Sequence, residues 1–462
     1  MATGRRGHLR ASLNPSAPLV ARLRRHRRIL ALALPAMGAL VSDPLLGLVD
    51  TAVVGRLGAE QLAALGLGVA VLATVSWVFN FLVYGTTAAV ARAVGAGDLP
   101  AAGRRAAHAG WTAVALGLAV GLIVLVTARP LLDLLGATPE LIEPAATYLR
   151  IRAVGIVGVL LGYVGHGTFR GVSDTRTPLV LAVAGNLGNG ALDVVLVFGF
   201  GMGLAGAAWA TVAAELATGF AFVLLARRAG LPLAGHGPPN PAELRELMSV
   251  SRDLFVRTGA LLLGLLAVTS AAARAGAVTL AAHQVLWQVW ITVTLLMDGF
   301  AIAAQALVGT ALGAGDVREA RAAAGATGAW GIGGGIATAA GLLLLDDVVP
   351  QALTNEPNVL VAVAGAWWLA AGGHVLNGWM FVLDGVFMGA GDFAYLRTWA
   401  LVAAAVGAGL AQLAIVAGWG LLGLWVAIEA IMVIRLLALL VRLRGRAWTR
   451  VGTALPASPA GA

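Results

Sequence analysis

Seven carboxylates stand in stretches otherwise apolar enough to cross a bilayer. Asp43, Asp50, Asp193 and Glu215 fall in the first half of the chain, and Asp298, Asp384 and Glu429 in the second. An ionised carboxylate at the centre of a bilayer costs at least about 2.5 kcal/mol, so such groups point by default to function. Asp43 and Asp50 are spaced to project from nearly one helix face, about two turns apart. Asn186, Asn189 and Asp193 follow i, i+3, i+7 and make one polar stripe. Thr211, and Tyr148 with Arg150 and Arg152, add polar groups at the same depth. Such groups are tolerated only where they face one another or a water-filled cavity.

Two chemistries suit that set. One is a helix-gluing network of carboxylates held neutral or paired with Arg150 and Arg152. The other is a cation site. A carboxyl group taken out of water holds a proton to higher pH, and one ringed by Asn, Thr and Tyr oxygens offers the all-oxygen ligand set of a hard cation. Asp50 and Asp193 are read as functional on this basis. Asp43 precedes Pro44, which disfavours helical backbone at position 43, so capping of a helix break and a functional role both stand. Glu215 and Glu429 are placed toward the cytoplasmic halves of their spans and read as snorkelling or glue.

The elements that must carry these residues are bilayer-spanning helices. Of the 462 residues 59% are hydrophobic and 11% charged, with a mean hydropathy of +0.88. Too little charge remains to cover a water-soluble protein of this length. Long continuous apolar runs, not alternating ones, exclude an outer-membrane barrel. Spans are expected near 29–55, 62–90, 106–128, 141–165, 177–200 and 203–226, then 250–273, 280–308, 322–345, 358–388, 395–417 and 420–441. The fold class is therefore an all-α polytopic membrane protein with twelve transmembrane helices.

A net charge of +9 would suit nucleic acid, but the arginines cluster in alternate loops. Arg92, Arg104 and Arg105, Arg170 and Arg176, Arg227, Arg228 and Arg245, Arg318 and Arg321, and Arg397 share one side with Arg442, Arg444 and Arg446. This is the positive-inside pattern, so both termini are expected in the cytoplasm and no nucleic-acid partner is implied. Residues 1–28 read as a disordered basic arm, 229–249 as a cytoplasmic linker and 442–462 as a cytoplasmic tail. The linker divides an N-lobe, 29–228, from a C-lobe, 250–441. The halves repeat one another. VARAVGAGDLPAAGRR (90–105) aligns with LVGTALGAGDVREARA (307–322), and TFRGVSD (168–174) with VFMGAGD (386–392) in the same register. An even number of helices per half implies a parallel repeat, and folds of that kind bind substrate between halves that rock. His108 and His236 are read as solvated at loop edges, and Trp367, Trp368, Trp379 and Trp399 as packing or interfacial anchors. No cysteine is present, and no His-Glu-x-x-His, Gly-x-Ser-x-Gly or P-loop occurs, so neither an enzyme nor an ATP-driven machine is expected.

PLLGLVDTAVVGRLG (44–58), Asn189 to Asp193 followed by GMGLAGAAWAT (201–211), TFRGVSDTRTPL (168–179) and LWQVWITVTLLMDGFAIAAQALVG (286–309) resemble the multidrug and toxic compound extrusion (MATE) family, in its DinF-like branch. The resemblance covers nearly the whole chain. It implies two pseudo-symmetric six-helix lobes in a V, and a monomeric inner- or plasma-membrane exporter working by H⁺ or Na⁺ antiport without a cofactor. The family's N-lobe cation site maps onto Asp50, Tyr148, Asn189, Asp193 and Thr211, with Na⁺ as an alternative occupant at Asp50, Asn189, Asp193 and Thr211. Asp384 matches a tenth-helix acid of a C-lobe site found in some members. The seventh span here has no acid beyond Asp253 at its edge, which leaves Asp298 as the substitute. Asp43, Asn186, Asp298 and Asp384 are thus secondary candidates.

The expected cargo is a small organic molecule, a lipophilic cation in the first reading. An organic anion of the citrate type is the alternative, since the stretch around Gln288 and Asp298 looks like that of plant relatives that export such anions. A lipid-linked-sugar flippase of the same fold would carry a more basic cavity than Arg150, Arg152, Arg257 and Arg435 supply. A passive channel fits the two-half repeat less well than alternating access does.

Overall fold

The computed structural model describes residues 17–231 and 241–455, without the side chains of residues 17–19, 21, 43, 75–77 and 241–247. All elements among them are helical: α1 (Ala17–Gly55), α2 (Ala59–Phe79), α3 (Phe81–Gly95), α4 (Leu99–Leu134), α5 (Pro139–Gly171), α6 (Arg176–Asp193), a π-helical segment (Val194–Gly199) and α7 (Gly203–Arg228). The second half holds α8 (Pro241–Arg274), α9 (Ala277–Gly313), α10 (Val317–Leu344), the short α11 (Val348–Leu353), α12 (Pro357–Gly372), α13 (His374–Gly389), α14 (Phe393–Val416) and α15 (Gly420–Arg444).

Ten spans are long and apolar enough to cross a membrane, among them α6 with its π-helical continuation, and the pair α12–α13, bent by 45°, makes another. Helices α2 and α3, separated at Asn80, are shorter apolar helices in the region of the expected second span. Among the described residues these spans are roughly consistent with the twelve expected, but three boundaries differ. Helix α1 starts at Ala17, inside the arm expected to be disordered to residue 28. Its extra turns have partners: Arg25 makes a bidentate ion pair with Glu319 at 3.0 and 2.7 Å, and His26 Nδ1 accepts from Trp330 Nε1 at 3.0 Å. Helix α8 begins at Pro241, inside the expected linker, while 232–240 and His236 lie outside the described residues. Beyond α15 the tail to residue 455 is packed against the protein, with Trp448 1% exposed.

Backbone geometry makes the two-lobe repeat explicit. Gly58 and Gly276 (φ 115 and 116), Gly97 and Gly315 (φ 75 and 77), and Ser173 and Gly391 (φ 62 and 72) pair at one constant separation. All adopt the left-handed conformation that glycine enters most easily. The last four positions each precede an aspartate, and three of those aspartates fasten the next helix. Asp98 accepts from Ala101 N at 2.8 Å, Asp316 from Glu319 N at 2.8 Å, and Asp174 from Arg176 N at 2.9 Å. After Ser173 the register slips. Gly201 and Gly203 pair with Gly418 and Gly420 (φ 66, 55, 68 and 58) at a separation one residue smaller. The N-lobe therefore holds one extra residue between these turns, and it is there that the π segment 194–199 lies. A single inserted residue is what a π-bulge absorbs.

The lobes meet at the face that carries the arginine-rich loops, called here the basic face. There α3 and α9 cross in backbone contact: a Cβ on Gly95 would strike the Thr310 carbonyl, and one on Gly313 the carbonyl of Arg92. Helix α1 leans on the C-lobe, where Met37 fills the space over Gly299, and α8 leans on the N-lobe through Val250 and Leu254 against Gly85.

Gly313→Ala should lower the thermal unfolding midpoint of the purified protein, because overpacking against backbone costs about 1–3 kcal/mol. Gly325→Ala, where a Cβ meets open space, should leave the midpoint unchanged or raise it. Equal midpoints for the two variants would show that the crossing is not a tight contact.

Candidate functional site

Helix α5 brings Tyr148, Arg152 and Gly155 to one face, since these follow i, i+4 and i+7. Opposite stands Glu215 of α7, joined to Arg152 by a bidentate pair of 2.5 and 2.7 Å. Gly155 makes room for it, because a Cβ there would occupy the position of the Glu215 carboxylate. The expectation from sequence sets Glu215 in the cytoplasmic half of its span. With α7 running Gly203–Arg228 it sits at mid-helix, where only an ion partner makes an ionised carboxylate tolerable. Arg152 and Glu215 are the members of the site that pattern reading underweighted. Opposite charges at matching depth on the fourth and sixth spans were the available signal.

Beside this pair lie the two aspartates. Asp193, at 0% exposure, ends α6, and Asp50 of α1 is half-buried. Their carboxyls are direct neighbours, and both feel the charge of Arg152. Tyr148 lies among Arg152, Asp50 and Glu215, its ring held against Gly68 of α2 where no Cβ fits. Asp50 Oδ1, both Asp193 oxygens and both amide atoms of Asn189 are buried without a hydrogen-bond partner in the protein. Two carboxylates that face each other with no donor between them repel unless a proton or cation joins them. The π segment starts directly after Asp193.

Other candidates are placed differently. Thr211 is buried, and its hydroxyl donates to Ala207 O of its own helix at 2.9 Å. Asn186 leaves the polar stripe: its amide donates to Ser42 O at 2.9 Å, beside Pro44, through which α1 runs as continuous helix. The side chain of Asp43 lies outside those described. Arg150, half-buried, is not among the groups that meet the aspartates. His108 is half-buried within α4 and not at a solvated loop edge, whereas Trp367 packs as expected, donating to Leu342 O at 3.0 Å.

A second cluster forms between the lobes. Asp384 of α13 pairs with Arg257 of α8 and, at 2.6 Å, with Arg435 of α15. Asp298 of α9 lies within the electrostatic reach of Asp384, Arg170, Arg257 and Arg435, and Tyr84 of α3 borders the same group. Three guanidiniums thus surround two carboxylates, a formal excess of one positive charge. Both arginines meet Asp384 Oδ2, while its Oδ1 is buried without a hydrogen-bond partner, and the positive charge of the setting opposes a bare cation there. Glu429 lies just before the middle of α15, not in its arginine-bearing half, and meets Asn377 Nδ2 at 3.4 Å and no cation. Among the described residues no group of three or more His, Cys, Asp or Glu is arranged to hold a metal ion.

A family model described as MatE matches residues 35–195 and 259–415. The chain is 33% identical over 427 residues to Protein DETOXIFICATION 44, chloroplastic, of Arabidopsis thaliana, a match spanning 89% of this chain and 80% of the relative. It is 32% identical over 448 residues to DNA damage-inducible protein F of Escherichia coli (strain K12), spanning 88% and 90%. A solved structure described as MATE in the bent conformation superposes with a TM-score of 0.84 over 92% of this chain and 97% of that one, at 24% identity. That last likeness shows the fold.

Arg152→Gln and Glu215→Gln should each destabilise the protein by on the order of 3 kcal/mol, because each strands a buried charge. The double variant should regain much of that loss. Thermal unfolding of the four proteins in one detergent makes the cycle, and additive losses would mean that the pair carries no coupling.

Proposed function

The chain belongs to the MatE family of efflux transporters, and from that membership we propose that Asp50 and Asp193 form its coupling site, taking up a cation on one side of the membrane and releasing it on the other. As a multi-span family transporter it moves small molecules and is not an enzyme. The juxtaposition of Asp50 and Asp193 without an intervening donor carries the coupling reading. Binding of a cation turns repulsion between these carboxylates into attraction, which draws α1 toward α6 and alters the N-lobe wall. The ion works as a driver only if it and the cargo favour opposite states, since a ligand binding both states equally shifts nothing.

Our reading takes the ion to be a proton. Arg152 stands beside the pair and opposes a sodium ion there, while a proton added to one carboxylate lets it donate to the other. Tyr148 and Asn189 then orient the pair. A sodium ion bound by Asp50, Asp193, Asn189 and Thr211 is the rival occupant. The basic face is taken as cytoplasmic on the positive-inside pattern, so closure of the lobes there corresponds to an outward-open protein.

The N-lobe site holds three carboxylates against one arginine, which suits a lipophilic organic cation drawn toward that lobe. A second reading rests on the cluster between the lobes. Its three arginines around Asp298 and Asp384 favour a small organic anion, whose carboxylates match guanidinium geometry.

In proteoliposomes with independently imposed gradients, a pH gradient should drive efflux of the chain's substrate, and Asp50→Asn should reduce it at least on the order of tenfold with the fold retained. Wild-type rates in that variant would remove Asp50 from the coupling site. Efflux that follows a sodium gradient and ignores pH would replace the proton with sodium. Screening a dye cation and a tricarboxylate in the same vesicles separates the two cargo readings.

A further inference from the structure

The tail beyond α15 is fastened to both lobes at the face where they close. Its C-lobe anchor is Trp448, which is buried, donates to Leu443 O at 3.1 Å and packs against Phe387 with ring centroids 5.9 Å apart. Arg321 of α10 covers that indole, 5.3 Å from its centroid, and donates to Gly445 O at 2.5 Å. Past this anchor the chain turns at Gly452, whose φ of 104 is reserved for glycine, and Gly452 N donates to Leu312 O of α9 at 3.1 Å.

The same short stretch is then gripped from the N-lobe. Arg92 of α3, at 0% exposure, donates to Arg450 O at 3.1 Å, Gly452 O at 3.0 Å and Ala454 O at 3.2 Å, and to Ala390 O at the end of α13 at 2.6 Å. Arg105 of α4 donates to Thr453 O at 2.6 Å. Every acceptor is a backbone carbonyl, so the grip depends on the path of the chain and not on its side chains. Leu455 is 7% exposed, which continues the seam.

We infer that residues 450–455 form a strap that holds the basic face shut, and that it must leave Arg92 and Arg105 before that face opens. This rests on the alternating-access reading above. The geometry requires the coupling because the strap is fixed to the C-lobe while the two arginines that hold it belong to the N-lobe. Separation of α3 and α4 from the C-lobe removes the four charge-assisted hydrogen bonds to the strap, and with them the bond of Arg92 to Ala390 O. Those bonds exist in the closed state alone, so they bias the equilibrium toward it. The arrangement also makes the carboxyl-terminal segment a point of regulation, since anything that pulls it from the seam favours opening.

The chain has no cysteine, so Leu99→Cys on α4 and Arg318→Cys on α10 give two spin labels, one per lobe, at the basic face. Double electron–electron resonance in nanodiscs then reads the separation without substrate or ion gradient, which keeps a failure here distinct from a failure of the coupling reading. Removal of residues 450–462, which spares Trp448, should raise the population at the longer distance on the order of tenfold. Arg105→Gln in the full chain should move it the same way by less. An unchanged distribution in the truncated protein overturns the inference. If truncation costs native helicity by circular dichroism, an unchanged distribution in Arg105→Gln does so instead.

Discussion

A charge carried into hydrocarbon has to be answered by something inside the protein, and the two lobes answer theirs differently. In the N-lobe Arg152 is committed to Glu215, which leaves Asp50 and Asp193 to face each other. At the lobe interface Asp384 is held by Arg257 and Arg435 together. Glu429, deep in the C-lobe, has only the amide of Asn377. The same residue type therefore stands in three electrostatic settings. The proposed coupling role is given to the pair without a fixed counterion of its own, because an acid locked to arginine has little to gain from a proton.

Departure from symmetry is what distinguishes the lobes. Matching left-handed turns show that both were built on one plan, down to the aspartate that follows each basic-face turn. Against that background one inserted residue stands out, since it falls immediately after Asp193 and is taken up as π-helix. An α-helix turns by about 100° per residue, so one extra residue re-aims everything before it relative to everything after. The C-lobe counterpart, α14, is uninterrupted α-helix and carries no acid in its span. The insertion and the acid occur together in one lobe only.

Closure of the basic face draws on three kinds of contact that share a physical basis. Glycines let α3 and α9 touch backbone to backbone, the Arg25–Glu319 pair ties α1 to α10, and the tail bridges Arg92 and Arg105 to the C-lobe. All are short-range and lost together when the lobes part, which gives a two-state interface and not a graded one. The far ends of the helices have nothing comparable among the described residues.

Much of this was legible from residue order alone. Apolar run length fixes the number of crossings, because the bilayer has one thickness and each crossing needs its own hydrogen-bonded helix. Arginine placement sets which loops share a face, and the repeated Gly-x-Gly-Asp and Gly-Val-Ser-Asp turns reveal the duplication. Spacing along single helices likewise put Asn189 and Asp193 on one buried face. Pairing across helices was not legible. Nothing in the order of residues says that Arg152 chooses Glu215 over Asp50, that Asn186 is spent on the Ser42 carbonyl, or that Asp384 is clasped by arginines from α8 and α15. These choices depend on helix rotation and on distances of a few ångströms between segments far apart in the chain. The path of the tail was hidden for a related reason. Its bonds are made by backbone carbonyls, which every residue possesses, and only tertiary structure decides which of them an arginine will meet.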